Sequence, residues 1–96
     1  MRRLERKLFA LSDEIAGLQE TLRQVTAELQ VLEHLQDDAI RDAAIGGPID
    51  REDARETTRD VERFRRLADD LRIRIARLEA NRTDLLTRLD SKKPDI

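Results

Sequence analysis

Apolar residues recur along the first half of the chain at Leu4, Leu8, Leu11, Ile15, Leu18, Leu22, Val25, Leu29 and Leu32. The steps alternate between four and three without a miss, and the row continues through Gln36, Ala39 and Ala43. A second row runs Ala54, Thr57, Val61, Phe64, Ala68, Leu71, Ile75, Leu78, Arg82, Leu85 and Leu89. Such alternation is the a and d pattern of a heptad, which keeps one narrow edge of an α-helix apolar and facing a partner helix. It predicts two long helices, about 2–45 and 50–91, with a bend at 46–49. Together they form one helical unit over 1–91, followed by a frayed tail at 92–96.

The only close cluster of helix-breaking residues lies between the rows, in "AIGGPIDREDAR". Gly46 or Gly47 suits the left-handed position that ends a helix. Pro48 cannot continue the first helix's hydrogen bonds. Asp50 suits the N-cap of the second helix, and Glu52 and Asp53 then place negative charge in its first turn, where the helix dipole favours it. Ile49 and Ala54 occupy the positions of a hydrophobic staple across that cap.

Folding the chain at Gly46–Pro48 brings the two rows face to face. Leu4 comes opposite Leu89, Ile15 opposite Leu78, Leu22 opposite Leu71 and Leu32 opposite Val61. The numbers of each pair add to 93, and each pair sets an a position against a d position, as antiparallel helices require. The thin layer Val25–Ala68 lies beside the thick layer Leu29–Phe64. Gln36 falls near Thr57 as a polar layer, Ala39 faces Ala54, and Arg82 interrupts the row opposite Leu11. The predicted fold is all-α: an antiparallel two-helix coiled-coil hairpin, dimerising into an elongated four-helix bundle.

The flanking charges favour the same orientation. Helix 1 carries Glu5, Glu14, Glu28, Glu33 and Asp42 at e and g positions, with Lys7 the one base. Helix 2 carries Arg65, Arg72, Arg74 and Arg88 against Asp60 and Glu79. Within helix 2, Glu62–Arg66, Asp70–Arg74 and Asp84–Arg88 have the favourable acid-first i to i+4 order.

Seven large apolar residues fall off both rows: Phe9, Val31, Leu35, Ile40, Leu67, Ile73 and Leu86. Leu35, Ile40, Leu67 and Leu86 lie at e or g and widen the apolar stripe, which suits four packed helices better than two. They mark the expected partner-binding surface. The expected partner is a second copy of the chain, with a different protein as the alternative.

Composition narrows the function. Charged residues make up 42% of the 96 residues and aromatics 2%, which suits long helices with a narrow seam rather than a globular core. Nineteen bases mix evenly with 21 acids, so the clustered basic face needed for nucleic acid is missing. Arg51, Arg55, Arg59 and Arg63 do form a rail, but Glu52, Glu56 and Asp60 run beside it. No cysteine is present, which removes disulfides, thiol chemistry and thiolate metal sites. His34 stands alone at an outward f position. The pairs Asp37–Asp38 and Asp69–Asp70 face solvent, and "GGP" lacks the context of a phosphate loop. No catalytic residue, cofactor or metal is therefore expected. The N-terminus has no apolar core of a signal peptide, and no run is long enough to span a membrane, so the expected location is the cytoplasm.

The expected function is that of a non-enzymatic scaffold, adaptor or regulator acting through helix–helix contacts. One alternative comes from the tip. An antiparallel hairpin ending in Asp50, Glu52 and Asp53 resembles, in architecture, the bacterial transcript-cleavage factors of the Gre type. That resemblance implies a regulator inserting its acidic tip into a large enzyme such as RNA polymerase. This bend lacks that family's acidic–asparagine–alanine pattern, and the chain has no counterpart to its globular domain.

Overall fold

The computed structural model describes residues 2–91. Helix α1 spans Arg2–Ile45 and helix α2 spans Pro48–Ser91. They pack against each other along their length as an antiparallel hairpin, 76 × 16 × 14 Å. The radius of gyration is 21.4 Å, against about 12 Å for a compact globule of this length. The frayed tail expected at 92–96 lies outside the described residues.

The heptad rows become the interface. Every residue of both rows is at least partly covered, and Ile15, Val25, Val61, Ala68, Ile75 and Leu85 are buried. Thr57 takes its seam place because its hydroxyl donates to the Asp53 carbonyl oxygen at 2.9 Å, leaving its methyl for the seam. Arg82 also stays partly covered in the row; its guanidinium reaches Glu79 at 3.9 Å, consistent with a covered stem and a wet head.

Among the described residues, two ion pairs cross between the helices. Arg74 donates to Glu14 at 3.0 Å, and Arg65 donates to Glu33 at 3.2 Å. Glu14 and Arg74 are both g residues, whereas Glu33 and Arg65 are both e residues. Reversing one helix of a coiled coil brings like positions together on each margin, so these pairs report the antiparallel sense independently of the apolar rows. Both are substantially exposed, so they contribute at most about 1 kcal/mol each. The expected i to i+4 pairs of α2 do not form. Arg74 turns across to Glu14 instead of Asp70, and α2 uses i to i+3 contacts such as Arg63–Asp60 at 2.9 Å and Arg72–Asp69 at 3.0 Å. The polar layer is shifted by one residue: Gln36 donates to Thr58 at 3.2 Å, because the Thr57 hydroxyl is already committed to its own helix.

The bend is tighter than its sequence predicts. It consists of Gly46 and Gly47 alone, and α2 begins at Pro48, two residues earlier than expected. Pro48 suits the first helical position because its missing N–H would have no partner there, and its fixed φ is already helical. The first hydrogen bond of α2 runs from the Arg51 N–H to the Gly47 carbonyl at 3.3 Å, so Gly47, not Asp50, is the N-cap. Asp50 lies inside the first turn, where its charge still complements the helix dipole. Ile49 likewise sits within the helix and is 78% exposed, so no staple forms with Ala54. No glycine has positive φ, which corrects the expected left-handed cap. Gly46 instead continues the α1 pattern, donating to the Asp42 carbonyl at 2.7 Å. Its lack of a side chain matters for space. A Cβ there would collide with the Asp50 carboxylate and lie 2.9 Å from the Asp42 carbonyl oxygen.

Gly17 is different. It sits mid-helix in α1, and a Cβ there would meet nothing within 4 Å. A glycine in a helix interior costs about 1 kcal/mol relative to alanine, and packing within the hairpin does not require it.

Candidate functional site

The seam leaves two long margins, one lined by the g and adjacent c residues of both helices, the other by e and b residues. All seven off-row apolar side chains are exposed, from Leu67 at 43% to Phe9 at 67%. The register divides them among faces rather than gathering them into one patch. Val31, Leu35 and Leu67 lie on the g margin, which also carries the Glu14–Arg74 pair. Phe9, Ile40 and Leu86 lie on the e margin with Glu33–Arg65. Phe9 and Leu86 come to nearly the same level there, close to the free ends, whereas Ile40 is near the bend. Ile73 points away from the seam on the back of α2.

Two further exposed apolar residues flank the bend: Ile45 at 87% and Ile49 at 78%. The sequence pattern places Ile49 in a staple and gives Ile45 no role. Their signal was available, since both lie off the heptad rows and next to the Gly-Gly-Pro break.

The g margin opens into a groove near the bend, lined by Leu35, Ala39 and Thr57 together with the carboxylates of Asp38, Asp42, Asp50, Asp53 and Glu56. Both helices supply acids to it, so sequence order scatters what the fold collects. Of the three predicted tip acids, Asp50 and Asp53 line this groove. Glu52 faces elsewhere and pairs with Arg55 at 3.5 Å and Arg59 at 3.4 Å. Those contacts, with Arg63–Asp60, join the basic and acidic rails of α2 to each other. No group of three or more such side chains among the described residues is arranged to hold a metal ion.

The outward residues sit as their heptad positions dictate. His34 is exposed, as are Asp37, Asp38, Asp69 and Asp70. Asp38 reaches Arg41 at 3.7 Å, and Asp69 binds Arg72. No helix among the described residues is long and apolar enough to cross a membrane.

The g margin is polarised along its length. Its bend half carries Glu28, Asp38, Asp42, Asp53, Glu56 and Asp60 against the single base Arg63. Its free-end half carries Arg3, Lys7, Arg74, Arg77 and Arg88 against Glu14, Asp70 and Asp84. The e margin alternates in sign and has no such gradient. No family model matches this chain, and no curated protein or solved structure is significantly similar to it.

Proposed function

We propose that this protein is a cytoplasmic, non-enzymatic scaffold or adaptor that works through helix–helix contacts, with self-association into an elongated four-helix bundle as its basic interaction. The observation that carries this reading is the exposure of Phe9, Val31, Leu35, Ile40, Leu67, Ile73 and Leu86 on a rod that buries only six side chains among its described residues. Single exposed apolar residues are ordinary. Seven on so thin a hairpin exceed what its own seam uses, and a second hairpin on the g margin covers the three that share that face, Val31, Leu35 and Leu67. The open margins suit a binding surface rather than a reaction centre, and the reading needs no cofactor, metal or nucleic acid.

Sedimentation equilibrium at micromolar concentration tests it. A mass of two chains is expected, and a mass of one chain across the micromolar range rejects it. Changing Leu35 and Leu67 to serine together is expected to shift the mass toward one chain while helicity stays unchanged.

A second reading draws on the acidic groove at the bend. Five carboxylates contributed by both helices fit a regulator that inserts its tip into a basic cleft of a large enzyme such as RNA polymerase. Charge reversal at Asp50 and Glu52, the tip acids that lie outside the g and c rows, separates the readings. Loss of a measured effect on that enzyme, with two-chain mass and helicity intact, favours the tip.

A further inference from the structure

We infer that the partner on the g margin is a second copy running antiparallel and fully overlapped, so that the acidic bend half of each copy lies on the basic free-end half of the other. This deepens the self-association proposed above and rests on it.

Three observations support the arrangement. The first is charge. Among the described residues, Arg3, Lys7, Arg77 and Arg88 make no ion pair within the hairpin, and neither do Asp42, Asp53 and Glu56. With matching helix midpoints and a two-fold axis across the rods, α1 packs on the partner copy's α1 and α2 on its α2. Asp42 then comes level with Arg3 and Lys7 of the other copy, Asp60 with Arg77, and Asp53 with Arg88. A parallel pairing instead sets Asp42 beside Asp53 and Asp38 beside Glu56, placing like charges together.

The second observation is shape. In the antiparallel overlap, Val31 comes level with Gly17 of the other copy, and Leu35 with the stretch between Ala10 and Glu14. Ala10, Gly17 and Val31 share the c row, so the exposed valine of one copy meets the bare backbone of the other. This gives Gly17 the role that packing within one hairpin does not.

The third is area. A face about 60 Å long and 16 Å wide offers on the order of 1,000 Å2 per copy, enough for a stable interface. An end-to-end contact, which the charge gradient would also attract, offers only the rod's 16 × 14 Å cross-section and falls far short. The isologous two-fold interface also closes on itself.

The chain has no cysteine of its own, so disulfide mapping is direct. Ala10→Cys and Asp38→Cys chains are mixed and oxidised, and Gln24→Cys is oxidised alone. The expected result is an Ala10→Cys to Asp38→Cys link at least tenfold more abundant than the Ala10→Cys self-link, with Gln24→Cys linking to itself across the axis. In parallel, Gly17→Gln is expected to weaken dimerisation at least tenfold while the chain stays fully helical. A two-chain mass with the Ala10→Cys self-link dominant overturns the antiparallel sense. A two-chain mass with none of these links, or with Gly17→Gln dimerising normally, overturns the g margin as the interface; in both cases self-association stands. A one-chain mass rejects self-association itself.

Discussion

At the bend, two adjacent glycines have different physical duties. Gly46 is confined by the Asp50 carboxylate and the Asp42 carbonyl oxygen, whereas a Cβ at Gly47 meets nothing within 4 Å. Neither has positive φ. Gly46→Ala is therefore expected to destabilise the hairpin by about 1 kcal/mol through crowding, although the Asp50 side chain can swing aside. Gly47→Ala is expected to change stability by no more than about 0.5 kcal/mol, because restricting the unfolded chain is offset by the poorer N-cap that Ala makes. Thermal unfolding of the two variants at one protein concentration compares them, and equal losses would reject this account of Gly46. The sequence announced a turn here, since Gly-Gly-Pro stops any helix. It did not announce which residue caps α2. Asp50 is the better capping residue by type, yet Pro48 fits the first helical position, and that moved the cap back to Gly47.

At the scale of the helices, the seam holds the structure and the margins only bias it. Ile15→Ala is expected to cost about 2–4 kcal/mol, because it empties a nearly closed layer. Ile73→Ser, on the back of α2, is expected to change hairpin stability by no more than about 0.5 kcal/mol. Chemical denaturation of both variants checks the contrast. The crossing ion pairs should be weak. A double-mutant cycle on Glu14 and Arg74 is expected to return a coupling below about 1 kcal/mol that shrinks further in salt, as for exposed pairs generally. Their value is orientational, since a g–g contact and an e–e contact fit antiparallel helices. The heptad rows were legible from sequence down to the last covered residue, including the polar and charged members Gln36, Thr57 and Arg82. The ion-pair partners were not. A long arginine reaches several carboxylates of similar energy, and the choice depends on the neighbouring helix as much as on its own.

For the whole molecule, the informative property is how charge and apolar surface are distributed over the rod. Net charge is only −2, and by composition the chain looks evenly mixed. Folding at the midpoint brings the acids of residues 38–60 together at one end and Arg3, Lys7 and Arg88 together at the other. Association driven partly by this gradient is expected to weaken as salt rises from 50 mM to 500 mM, because charges separated by more than about a Debye length are then screened. Sedimentation across that range measures it, and a salt-independent mass would assign the association to apolar contacts alone.

The sequence by itself determined the helix count, the antiparallel register and the exposure of the seven apolar side chains that lie off the heptad rows between the bend and the free ends. These follow from a period and a midpoint break, and one-dimensional spacing is all that a heptad seam requires. Only the tertiary structure decided the two-residue bend, the Gln36–Thr58 contact, the partners of each arginine and the grouping of carboxylates from both helices into one groove. Those features depend on which atoms of distant segments come within a few ångströms. A shift of one residue, or one side-chain rotation, changes them while leaving the hydrophobic pattern untouched.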